Sequence, residues 1–90
     1  MNMEGTIMTI KDHPHPGLIL SKFLARRYIT VGDLCTQMDI QSSHIENVLH
    51  GRRRIGALFA HRLCQAIGGK PQIWMRLQKR YDNAQQNPLP

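Results

Sequence analysis

Apolar residues recur along this chain three and four positions apart, which is the spacing of one face of an α-helix rather than the alternation of a strand. Prolines, glycines and polar residues interrupt this pattern, so each stretch with helical spacing is short. The spacing predicts five helices, at about 17–27, at 31–38, from Ser42 or Ser43 to just before Gly51, at 57–67, and from Pro71 onward. We therefore expect an all-α fold.

Residues at the predicted helix ends agree with these bounds. The prolines of HPHPG, residues 13–17, prevent a helix from extending upstream. Thr30 offers an N-cap side chain, and Asp33 in the first turn complements the positive end of the helix. Asp39 tolerates a left-handed conformation, and Gly51 sits where such a conformation commonly ends a helix. Helices two and three are thus predicted to be joined by a tight turn.

The balance of charge indicates the class of partner. The chain has 90 residues, with 12 Lys and Arg against 6 Asp and Glu, which gives a net charge of +6 and a pI near 10.0. Such a balance favours a polyanion, either nucleic acid or an anionic membrane surface. The apolar runs are far shorter than the roughly 20 residues of a membrane span. The first residues also lack the features of a signal peptide, so we expect a soluble cytoplasmic protein.

The two ends of the chain differ in composition from the middle. Residues 1–13 carry only scattered apolar positions, and residues 83–90 are polar and contain prolines. Both segments are predicted to be flexible, leaving one folded domain at 14–82. Cys35 and Cys64 fall at apolar positions of helical patterns, so we expect them to be buried, reduced thiols.

Several classes of site find no support in the sequence. There is no acidic pair in a plausible cleft, no glycine-rich phosphate loop and no recognisable Ser, His and Asp set, so we expect neither an enzyme nor a cofactor. The histidines supply no pair at metal spacing with a third ligand nearby, and we expect no metal site. They are His13, His15, His44, His50 and His61.

Two short helices joined by a tight turn are typical of a DNA-binding helix-turn-helix. Their apolar residues would form a seam that holds helix three across helix two. The seam consists of Leu34, Cys35, Met38, Ile40, Ile45, Val48 and Leu49. The opposite face of helix three is then left free to enter a groove.

That free face carries short polar side chains that can reach base edges in a major groove. Ser42, Ser43 and Asn47 are predicted to be the main readers of bases. His44 and Glu46 are predicted to lie beside them, with Glu46 suited to the amino group of a cytosine.

Three consecutive arginines, Arg52, Arg53 and Arg54, follow the glycine that ends helix three. A run of this kind is often only a solvated surface. Because it comes directly after a polar helix in a basic chain, we predict instead that the guanidinium groups hold DNA phosphates beside the groove.

Further motifs extend this pattern over most of the chain. They are His15, Pro16 and Gly17, the run IENVLHGRRRI at 45–55, the run AHRLCQAIG at 60–68, and Pro71, Trp74, Leu77, Gln78, Tyr81 and Asp82. With these motifs, the sequence resembles the HigA/VapI-type antitoxins of the Cro/CI-like (XRE) helix-turn-helix family, whose fold is the five-helix, lambda repressor-like domain. The resemblance implies a cytoplasmic homodimer that binds a palindromic operator in double-stranded DNA and represses its own operon. It also implies that the protein neutralises an mRNA-cleaving HigB toxin of the RelE-like fold. A membrane is then not an expected partner.

A second interpretation rests on departures from the family pattern. Val31, Gly32 and Gln41 stand where polar or better capping residues are usual, and Gly32 lowers helix propensity by roughly 1 kcal/mol relative to Ala. These residues favour a protein-interaction module that mainly captures a toxin or another partner and binds DNA weakly. A regulator with no toxin, an orphan helix-turn-helix protein, is a further alternative.

Apolar residues outside the seam suggest where a partner would bind. Trp74, Leu77 and Tyr81 share one face of helix five, which we expect to cover the core of the helix-turn-helix. Extra apolar side chains at other angles are predicted to form a dimer or toxin contact, because exposed apolar patches often mark interfaces. They are Leu58, Phe59, Ile73 and Met75.

Overall fold

The computed structural model describes residues 13–86, which form five α-helices and no strand. The helices are α1 (Pro16–Arg27), α2 (Val31–Met38), α3 (Ser42–Leu49), α4 (Ala57–Ile67) and α5 (Pro71–Gln86). This confirms the all-α prediction, and the bounds agree closely with those read from apolar spacing. None of the five helices combines the length and the apolar character needed to cross a bilayer.

The domain boundary predicted at residue 82 falls inside α5, which continues to Gln86. Residues 83–86, expected to belong to a flexible tail, are therefore helical. The predicted flexible segment at 1–13 lies outside the described residues except for His13, and residues 87–90 lie outside them as well.

Local capping fixes α2 and the turn after it. The Thr30 hydroxyl accepts from the Asp33 amide at 3.0 Å, and the Asp33 carboxylate accepts from the Thr30 amide at 3.1 Å, which makes a capping box. Asp39 ends the helix in the left-handed conformation, with φ 56°. Arg62 of α4 donates to the carbonyl oxygens of Met38 and Asp39 at 3.4 and 3.3 Å. The turn between α2 and α3 thus starts at the left-handed Asp39 and is held by Arg62 from α4.

The five helices share one apolar core, in which α3 lies between α1 and α2. In addition, α4 packs on α2 and α5, and α5 packs on α1. The buried members are Leu20, Leu24, Leu34, Met38, Ile45, Val48, Ile55, Phe59, Ala60, Leu63 and Trp74. Leu77 and Tyr81 are half-buried beside them. The face of α5 that bears Trp74 is therefore part of the shared core, but α5 packs on α1 and α4 rather than directly on the helix-turn-helix pair that we predicted it to cover.

Two predictions about burial need correction. Phe59 is only 4% exposed and belongs to the core, so it is not part of a partner surface. Its place in α4, one position before Ala60 and four before Leu63, sets it at the margin of the buried stripe rather than outside it. Cys35 and Cys64 are free thiols, as expected, but both are half-buried rather than buried.

Gly17 allows the start of α1 to approach the end of α3. A Cβ atom at this position would overlap the carbonyl oxygen of Val48. The glycine is thus required by a close contact between two backbones, since Val48 lies in the last turn of α3.

His15, two residues before Gly17, caps the start of α1. Its Nδ1 accepts a hydrogen bond from the Gly17 amide at 2.9 Å, which requires that nitrogen to be unprotonated. The ring is 5% exposed and lies edge-on to Tyr81, with 4.9 Å between ring centroids. Burial lowers the pKa of His15 below 6.5, although Asp82 opposes this shift.

We predict that Gly17→Ala lowers the free energy of unfolding by roughly 1–3 kcal/mol, because the Val48 carbonyl must move to admit the methyl group. Urea denaturation measures the change. The matched control is Gly32→Ala in α2, where the nearest atom to the new Cβ is Thr30 Oγ1 at 3.7 Å. That variant should gain up to roughly 1 kcal/mol from helix propensity. A Gly17→Ala protein as stable as the original would refute the close contact.

Protonation of His15 is expected to destabilise the fold. Since its pKa is lowered in the folded state, the unfolded chain binds a proton that the folded chain does not. Stability is therefore complete above the unfolded pKa of 6.5 and declines as the pH falls through it toward the folded pKa. Unfolding free energies measured across this window should decline less steeply in His15→Asn, which keeps a capping side chain that does not titrate. Equal slopes in both proteins would exclude His15 as a source of the acid sensitivity.

Candidate nucleic-acid interface

One side of α3 is buried and the other is polar. Ile45 and Val48 are 0% exposed and enter the core between α1 and α2. Ser42, Ser43 and Glu46 are exposed, and Asn47 is half-buried at the end of the same outward side. Four of the five predicted base-reading residues thus lie on a continuous polar face of a helix whose opposite side is buried.

His44, the fifth predicted reader, lies at the edge of this face. Its ring is half-buried and packs against Phe59, with 5.3 Å between centroids. Burial lowers the pKa of His44, and the positive charge of Arg53 lowers it further. The imidazole is therefore favoured in its neutral form and is oriented mainly toward α4.

Hydrogen bonds fold the next segment back onto the end of α3. The Arg52 amide donates to the Asn47 carbonyl at 2.8 Å, and Arg52 Nε donates to the Asn47 side-chain oxygen at 3.2 Å. Gly51 between them has φ 75°, so the chain reverses there. The structure therefore places a predicted base reader and a predicted phosphate ligand in direct contact, and the NH2 group of Asn47 makes no hydrogen bond within residues 13–86.

The three arginines differ in their surroundings. Arg53 is exposed and has no acidic partner among residues 13–86. Arg54 donates from Nη2 to Asp82 Oδ2 at 2.6 Å, with side chains 62% and 32% exposed. The prediction treated the run as three equivalent phosphate ligands, whereas the structure leaves Arg52 and Arg53 facing outward and pairs Arg54 with α5.

Gln78 and Asp82 of α5 support this segment, and sequence reasoning did not assign them a role. Gln78 is 2% exposed, accepts from the Ile55 amide at 2.7 Å and donates to Asp82 Oδ1 at 2.9 Å. The Arg54 guanidinium, followed by the Gln78 amide, holds the pKa of Asp82 below its usual range. The available signal was a glutamine on the same helical face as Trp74 and Tyr81, where an apolar residue is normal.

The remaining residues of the predicted partner surface lie in separate places. Leu58 is 65% exposed and borders a shallow hollow with Ala57 and His61 at the start of α4. Ile73, 49% exposed, borders another with Phe23 near the start of α5, and Met75 is 40% exposed. Leu58 and Ile73 thus border different hollows, and Met75 lines neither of them, so these residues do not form one patch.

We compared the chain with protein-family models, with known proteins and with solved structures. No protein-family model matches the chain. Virulence-associated protein A′ of Dichelobacter nodosus is 30% identical over 77 residues, which are 84% of this chain and 67% of that protein.

Two solved structures share the fold over most of their length. A Pseudomonas aeruginosa protein in complex with its 28-bp operator DNA superposes with a TM-score of 0.79 at 29% identity, covering 83% of this chain and 84% of that one. The Pseudomonas aeruginosa antitoxin HigA with the higBA promoter gives a TM-score of 0.79 at 28% identity, covering 84% of both chains.

Proposed function

The chain belongs to the HigA/VapI-type antitoxins of the Cro/CI-like helix-turn-helix family, and we propose on this basis that it is a sequence-specific repressor that binds double-stranded DNA. It binds a palindromic operator as a homodimer, with the two copies of α3 in successive major grooves about 34 Å apart. It represses its own operon, and it acts in the cytoplasm. The observation that supports this function best is the outward polar face of α3, which Ile45 and Val48 anchor from behind.

The residues of α3 divide by chemistry. Asn47 pairs best with adenine, and its NH2 group is available because Arg52 engages only the oxygen. Ser42 and Ser43, in the first turn, reach base edges of several kinds, and Glu46 accepts from a cytosine amine. His44 contributes less, since its ring packs on Phe59.

Arg52 and Arg53 supply the affinity that depends on salt. They project from the segment directly after α3, on a chain whose net charge is +6. Contacts from such side chains to phosphate release counterions and set the register of the helix without reading sequence.

The same protein neutralises an mRNA-cleaving toxin of the HigB/RelE-like type. DNA occupies the polar face of α3, so the toxin and the second copy of the chain require other surfaces. Leu58, Ile73 and Met75 are exposed apolar side chains outside that face, and they are suited to those contacts.

A second candidate function is a protein-interaction module, or an orphan regulator, that binds DNA weakly. The observation in its favour is that Gln41 makes no side-chain hydrogen bond at the start of α3. Without that bond, the first turn of the reading helix is held less firmly.

Two variants test the assignment of roles. Asn47→Ala should weaken operator binding by roughly 1–3 kcal/mol and binding to random DNA by less, because it removes a base contact outright and disturbs a phosphate ligand only through the lost hydrogen bond to Arg52. Arg53→Ala should weaken both equally and reduce the salt slope by about one unit per protomer. Fluorescence anisotropy at several salt concentrations, with the DNA upstream of the gene and a scrambled duplex, measures both quantities. Arg76→Ala, an exposed arginine of α5, is the matched control for lost charge.

The results of these binding experiments distinguish the candidate functions. Equal losses on operator and random DNA from Asn47→Ala would contradict its role as a reader. If the unaltered protein gives no gel shift with the upstream DNA at low salt, the interaction module is the better account. An adjacent gene for a small basic protein would favour the antitoxin over the orphan regulator.

A further inference from the structure

We propose that Arg54 serves DNA binding indirectly, as a positioning residue. It belongs to a polar bridge that fastens the segment after α3, residues 52–55, to α5. The polar bridge consists of Arg54, Asp82, Gln78 and the backbone amide of Ile55. This inference rests on the proposed function, because it concerns how the phosphate-binding segment is held in place.

The polar bridge is continuous from solvent to core. Arg54 Nη2 lies 2.6 Å from one oxygen of Asp82, and Gln78 Nε2 lies 2.9 Å from the other. The Gln78 oxygen in turn accepts from the Ile55 amide at 2.7 Å. Both oxygens of the carboxylate and both ends of the amide are therefore used.

This arrangement has a single favourable orientation. If the Gln78 amide were reversed, its NH2 group would face the Ile55 N–H and its oxygen would face the Asp82 carboxylate. A donor would then face a donor at Ile55, and an acceptor would face an acceptor at Asp82. Gln78 is 2% exposed, and unpaired polar groups at such a buried position are costly. The buried glutamine thus fixes the position of Asp82, and Asp82 fixes Arg54.

The segment that carries the phosphate ligands is consequently attached at both ends. At its start, the Arg52 amide donates to Asn47 of α3. At its end, Ile55 is 1% exposed and its amide is held by Gln78. Arg53 lies between these two attachments, so the polar bridge restricts the backbone that presents it to a phosphate.

Arg54 is poorly placed to bind phosphate itself. The carboxylate of Asp82 already pairs with its guanidinium and would repel a phosphate brought close to the same group. A purely electrostatic role and a role in the polar bridge therefore predict opposite changes in DNA affinity when the Asp82 side chain is removed. Removal of a carboxylate beside DNA should strengthen binding if only charge matters, and should weaken it if Asp82 orders the segment.

The test is a double-mutant cycle on the full chain with the DNA upstream of its gene. We expect Asp82→Ala to weaken operator binding roughly three- to tenfold, the cost of ordering a segment that is no longer fastened. Arg54→Ala should weaken binding in the unaltered background but change it less than about twofold when Asp82→Ala is already present, because coupled residues are not additive. Arg76→Ala is the charge control. Urea denaturation establishes that each variant is folded under the binding conditions.

Three results would overturn the proposal. The first is tighter binding by Asp82→Ala, and the second is an Arg54→Ala effect of equal size in both backgrounds, which is the behaviour of a direct phosphate ligand. The third comes from amide hydrogen exchange without DNA. We expect residues 52–56 to exchange faster in Asp82→Ala than in Arg76→Ala, and equal rates would contradict the bridge. If the unaltered protein binds no upstream DNA, the repressor function fails, and this exchange measurement still decides whether the bridge orders the segment.

Discussion

Burial of Ile45 and Val48 determines where α3 lies, and the rest of the interface depends on that position. Both side chains are 0% exposed, in a core that α1 enters from one side and α2 from the other. Gly17 permits the start of α1 to reach the Val48 carbonyl, which brings the ends of the two helices together. Because these contacts use only the inner side of α3, its polar side remains exposed.

The polar network around α3 complements this apolar anchoring. Hydrogen bonds from Arg52 to Asn47 fold the segment of residues 52–55 onto the end of α3. Gln78 holds the other end of that segment against α5. The proposed base readers and phosphate ligands thereby lie in one short stretch of chain, and hydrogen bonds join its two parts. The core supplies the stability, and the few buried polar groups set the geometry.

The sequence predicted the helices and the outward polar side of α3 because their determinants are local. Apolar spacing, the capping pair Thr30 and Asp33, and the left-handed Asp39 act within a few residues of one another. The pairing of Arg54 with Asp82 joins residues 28 positions apart and depends on how α5 packs, which no local pattern specifies. Phe59 was misplaced for a related reason, since helical spacing alone does not determine how wide a stripe its neighbours cover.

An NMR titration of the isotope-labelled protein with the DNA upstream of its gene would show whether the outward side of α3 is the surface that binds DNA. We expect the largest amide shift changes on the outward side of α3 and in the arginine run that follows it, at Ser43, Asn47 and Arg53, while Ile73 and Met75 change little. Shifts confined to α5 with α3 unaffected would contradict the assignment of α3 as the surface that reads DNA.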